Sequence, residues 1–88
     1  PAEVERLLSR HPAVAMVAVV GVPDERLGEV GKAYVVRRAD AEANAEDLKV
    51  WSRNNMANYK VPRSFVFVDD LPKNASGKVL KNELRDAG

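Results

Sequence analysis

No cysteine occurs among the 88 residues and histidine occurs once, at His11, so disulfide bridges and any metal site built from cysteine and histidine are excluded. A chain without cysteine suits a reducing compartment, and a cytoplasmic location is expected. Neither charge is in excess: 14 basic against 13 acidic residues leave a formal +1, which is no electrostatic footprint for nucleic acid or for an anionic membrane surface. Long apolar runs are also missing. The longest, Ala13 to Val20, falls far short of the roughly 18 residues that a membrane span needs. No repeat, low-complexity tract or targeting peptide is visible, and the length suits one small soluble domain, residues 1–88, with a modest core.

What is present reads as alternating helices and strands. Val4, Leu7 and Leu8 recur at helical spacing, and His11-Pro12 closes that segment, giving an amphipathic helix over residues 2–9 with His11 as a capping or surface residue. Val14 to Val22 is apolar at every alternation, the pattern of a central strand covered on both faces, and Pro23-Asp24 is expected to end it. A second strand is expected over Gly31–Arg37. Asn44 can cap a helix with Asp47 three residues on, which turns Leu48, Trp51 and Met56 to the core. Ser64 to Val68 alternates as a third strand, and the turn-rich Asp69–Gly77 leads to a last helix starting near Ser76. The fold class is α+β: a small three-stranded sheet with flanking helices.

Chemistry concentrates in PKNASGKVLK, Pro72 to Lys81, where Lys78 follows Ser76-Gly77. At the start of a helix its charge would be unfavourable unless an anion arrived, and Ser76 would cap that helix while Gly77 left the backbone open to close approach. A nucleotide-binding P-loop needs a glycine where Pro72 stands and a hydroxyl residue where Val79 stands, so that reading fails. The other reading is that Lys78, Lys81 and Arg85 are the wet face of a terminal helix whose dry face is Leu80 and Leu84. Spacing alone leaves both open.

Three blocks in order, GVPDERLGEVGKAYVV (Gly21 to Val36), NYKVPRSFVFVDD (Asn58 to Asp70) and LPKNASGKVLKNELR (Leu71 to Arg85), resemble the C-terminal domain of adenylate-forming enzymes. This superfamily comprises acyl-CoA synthetases, peptide-synthetase adenylation domains and luciferases. Lys73-Asn74 after Pro72 and Leu80-Lys81 after Val79 are more similar to the fatty-acid and related acyl-CoA ligases than to the peptide synthetases. Lys81 stands where an arginine is common, and Asn58 where many relatives have glycine.

The resemblance implies an ATP-dependent ligase that forms an acyl-adenylate and then a CoA thioester. It assigns the adenylation role to Lys78, with Ser76 and Gly77 supporting its loop, and it places Gly28, Tyr59, Lys60 and Arg63 near the CoA nucleotide after a rotation of the domain. Tyr59 is expected to stack on adenine and Arg63 to pair with a phosphate. The rival reading of YKVPR is a packed bend in which Tyr59 plugs the core. The resemblance also implies a large N-terminal domain holding ATP, Mg2+ and the acyl pocket, in a longer protein of which this chain, opening at Pro1, is one part. A protein acetyltransferase acting on Lys78 is a further implied partner. A stand-alone, non-catalytic α+β binding module is the alternative function.

Overall fold

Val4 and Leu8 stand one helical turn apart and are both buried in α1 (Ala2–Leu8). The structure, a computed structural model, describes residues 2–87. His11 closes α1 as expected: its N–H donates to the Leu8 carbonyl at 3.0 Å, and its Nδ1 accepts from the Ala13 N–H at 3.0 Å. Its ring meets Trp51 edge-on, with centroids 5.4 Å apart.

Strands β1 (Val14–Asp24) and β2 (Gly28–Arg37) form an antiparallel hairpin, and β3 (Ser64–Phe67) runs parallel to β2, giving a mixed sheet of order β1-β2-β3. β1 is therefore an edge strand, where the sequence suggested a central one. Ala18, Val19 and Val20 are nevertheless buried on alternate sides, because helices lie on both faces of the sheet. Pro23 does not end β1 either: Pro23 pairs with Glu29 and Asp24 with Gly28. The physical reason is parity. The Val19 N–H and the Gly21 carbonyl face outward from the sheet to side-chain partners, and Pro23 shares their alternation, so its missing N–H removes no ladder bond. Consequently β2 starts at Gly28, three residues ahead of the expected Gly31.

Helix α2 (Ala45–Asn55) links the parallel pair and begins on the predicted capping box, in which the Asn44 side chain accepts from the Asp47 N–H while Asp47 accepts from the Asn44 N–H, both at 2.9 Å. Leu48 is fully buried, and Trp51 and Met56 pack beside it. One core layer joins α1 and α2 to the sheet through Val4, Leu8, Leu48, Val19, Val35 and Phe65. Val14 shares this layer because the register shifts between Val14 and Met16. The opposite face carries Ala18, Val20 and Tyr34 under Leu71 and Leu84, the latter from α3 (Lys81–Ala87). α3 thus starts five residues after Ser76, and the predicted helix start is wrong.

Candidate functional site

The residues that replace the expected first turn of helix form a tight hairpin. Lys73 and Val79 pair antiparallel, the Leu80 N–H donates to the Pro72 carbonyl at 2.8 Å, and the Asn74 N–H donates to the Lys78 carbonyl at 2.9 Å. Inside the turn, Asn74 Oδ1 collects three donors: the Ser76 N–H at 3.0 Å, the Ser76 hydroxyl at 2.9 Å and the Lys78 N–H at 3.0 Å. Such a side-chain-closed turn competes directly with helix formation. Gly77 completes it at φ 86°, with open space where a Cβ would stand, so the position needs glycine for its left-handed backbone and not for clearance. Ser76 caps no helix; its hydroxyl serves Asn74. Lys78 accordingly owes nothing to a helix dipole.

Lys78 projects from this hairpin into solvent, and its Nζ has no hydrogen bond or ion pair among the described residues. Its neighbours are engaged. Lys73 pairs with Asp70 at 3.4 Å, Lys81 with Glu5 at 2.7 Å, and Arg85 donates through Nε to the Gly21 carbonyl at 3.1 Å. The idea of one uniform wet face therefore fails, since Lys81 and Arg85 fasten α3 to the rest of the domain and Lys78 alone of the three is uncommitted.

A second group gathers at the β1–β2 turn. Asp24 Oδ1 accepts from the Leu27 and Arg26 N–H groups, both at 2.9 Å, and these bonds hold the Asp24 carboxyl below the usual carboxylate range, with a smaller contribution from the Arg63 charge. The turn closes at Gly28, whose φ of 81° again requires glycine. Opposite it, Asn58–Lys60 forms a single 3-10 turn. Pro62 is buried and the Arg63 N–H donates to the Gly31 carbonyl at 2.8 Å, so YKVPR is a packed bend as far as its backbone goes. Tyr59, however, is 84% exposed and plugs nothing. Lys60 lies 2.6 Å from Glu3, and each perturbs the other: the hydrogen bond to Lys60 lowers the Glu3 carboxyl, and the same bond raises the Lys60 ammonium. Lys60 is thereby less available to a ligand than Arg63, whose side chain is exposed.

Lys78 lines one cleft with Asn74 and Lys81, Tyr59 and Lys60 line a second with Glu3 and Gly31, and Arg63 lines a third with Lys49 and Pro62, so the described residues present no single assembled site. Residues 3–78 match the family described as the AMP-binding enzyme C-terminal domain. The chain belongs to that family. It is 55% identical over 86 residues to an octahydro-indenyl propanoyl:CoA ligase of Rhodococcus jostii, a match that covers 98% of this chain and 17% of the relative. Among solved structures, ATP-bound MatB from Rhodopseudomonas palustris superposes with a TM-score of 0.94 at 38% identity, over 99% of this chain and 17% of that one. A Mycobacterium tuberculosis fatty acyl CoA synthetase gives 0.91 at 37% identity, with the same coverage of both chains. This AMP-binding C-terminal domain thus spans about a sixth of the relatives it matches, and its three-stranded sheet with flanking helices is the fold of theirs.

Asn74, Asp24 and Glu5 went unnoticed in the sequence. The first two carried a signal, an asparagine or aspartate two residues ahead of the N–H it accepts, in Asn-Ala-Ser and Asp-Glu-Arg. Glu5 carried none.

Proposed function

We propose that this domain is the mobile lid of an ATP-dependent acid–thiol ligase that joins a carboxylic acid, of the fatty-acid class, to coenzyme A. The observation that carries the reading is the uncommitted ammonium of Lys78 on a hairpin locked by Asn74, among lysines and an arginine that are all engaged. In the first half-reaction a carboxylate oxygen attacks the α-phosphate of ATP and pyrophosphate leaves; in the second the CoA sulfur attacks the acyl carbon and AMP leaves. Lys78 would stand between the carboxylate and the α-phosphate, where a compact ammonium can orient two separate anions and offset charge in the transition state, an effect of order 3 kcal/mol. A large N-terminal domain would hold ATP and the acyl chain. The described residues bring together no group of three or more metal-ligating side chains, so the accompanying Mg2+ is assigned to that domain and no step here runs through it.

The second half-reaction would use Tyr59, exposed for stacking on adenine, and the exposed Arg63 for a phosphate, with Gly28 and Lys60 as further candidates for the CoA nucleotide. The names of the Rhodococcus and Mycobacterium relatives support CoA as the acceptor and a fatty acid as one donor class. A cytoplasmic setting fits these substrates.

The test is Lys78→Ala in the full-length protein, with the half-reactions measured separately. Pyrophosphate release should slow by roughly 100-fold or more, while thioester formation from supplied acyl-adenylate stays near its original rate. Equal loss in both would mean that Lys78 supports the fold. Because the Lys78 amine is exposed and has no partner among the described residues, it should also be the lysine most open to a protein acetyltransferase, whose product has lost the charge. Mass mapping after incubation with acetyltransferase and acetyl-CoA checks this; modification confined to Lys32, Lys49 or Lys60 would exclude it.

A further inference from the structure

Glu5 lies on α1, against one face of the sheet, and Lys81 opens α3, against the other, yet their side chains meet around the β1 edge. A single oxygen, Glu5 Oε2, accepts from the Val19 backbone N–H at 2.8 Å and from Lys81 Nζ at 2.7 Å. The carboxylate is therefore fixed to the sheet before it meets the lysine, unlike an ordinary surface pair in which two mobile chains find each other. Lys81 is the first residue of a seven-residue helix, where a cation opposes the helix dipole and needs a counter-charge. The remaining ties of α3, the Tyr34 hydroxyl to the Leu84 carbonyl at 2.9 Å and Arg85 to Gly21, lie further along the helix. At its start, where the chain leaves the Lys78 hairpin, Glu5 is the side-chain anchor seen among the described residues.

We propose that Glu5 is a positioning residue for Lys78: by holding Lys81 to the β1 edge it fixes where the hairpin leaves the domain and hence where the Lys78 ammonium points. The inference rests on the adenylation role given to Lys78 above. It predicts that loss of the Glu5 charge disturbs the half-reaction that Lys78 serves and spares the one served by Tyr59 and Arg63.

The experiment uses Glu5→Gln, which retains an oxygen for the Val19 N–H, in the full-length ligase, alongside Lys81→Met, the double variant, the conservative Lys81→Arg, and Lys78→Ala as reference. Adenylation should fall about 5- to 10-fold in Glu5→Gln and in Lys81→Met, and by no more than that in the double variant, since both remove one interaction. Thioester formation from supplied acyl-adenylate, and the KM for CoA, should stay unchanged. Lys81→Arg, which keeps the cation for Glu5, should retain at least half of the original rate. Equal slowing of both half-reactions, multiplicative losses in the double variant, or a lowered melting temperature with unchanged adenylation would each overturn the positioning role. If Lys78→Ala itself slows neither half-reaction, the reading of Lys78 fails and the role of Glu5 falls with it; if Lys78→Ala is selective and Glu5→Gln is not, only the role of Glu5 falls.

Discussion

Arg63 and Lys60 stand three residues apart on one short stretch and differ in what is left for a ligand to use. Lys60 is engaged with Glu3 at 2.6 Å, while the guanidinium of Arg63 is exposed and only weakly sensed by Asp24. Arg63→Ala should therefore raise the KM for CoA by roughly tenfold with adenylation unchanged, because a phosphate contact remote from the reacting sulfur contributes binding more than chemistry. Saturation curves for CoA decide it: an unchanged KM together with a lower melting temperature would leave Arg63 as a structural part of the bend. Tyr59 makes the same point from the opposite direction. Sequence alone left it between core plug and exposed platform, since a tyrosine near a proline bend fits either; in the structure Pro62 is the buried residue of the bend and Tyr59 is exposed.

At the scale of the element, local signals were legible and non-local ones were not. The α2 capping box was readable because Asn44 and Asp47 are three apart and satisfy each other. The start of α3 was misread because Leu80 and Leu84 carry helical spacing, whereas the turn that delays the helix depends on one asparagine collecting three donors and on a glycine at positive φ. These two asparagines give opposite expectations. Asn44→Ala should cost about 1 kcal/mol of stability, seen as a lower melting temperature, and leave both half-reactions alone. Asn74→Ala should barely move the melting temperature and slow adenylation about tenfold, because it loosens the hairpin that presents Lys78. Stopped-flow assays of each half-reaction beside thermal melts separate the two; equal behaviour of the variants would dissolve the distinction. The placing of β1 at the edge was illegible for another reason. Burial on both faces of a strand reports the layers above and below it, not the strands beside it.

For the molecule as a whole, two core layers closed around one sheet predict that residues 1–88, produced alone, melt cooperatively. They should release no pyrophosphate from ATP and a fatty acid, because on the proposed reading the domain supplies one ammonium and part of a CoA surface. Turnover above background that vanishes with Lys78→Ala would show that a complete active site lies within the chain. The clasp around β1 has a consequence of another kind. Its outer rim is the natural place for a foreign strand to dock, and such docking is how sheet proteins begin to form fibrils. Here the Val19 donor and the Gly21 acceptor are already occupied, so an incoming strand would have to displace Glu5 and Arg85 before it could use either. The side chains that tie α3 to the β1 edge thus also block two of that rim's backbone docking points.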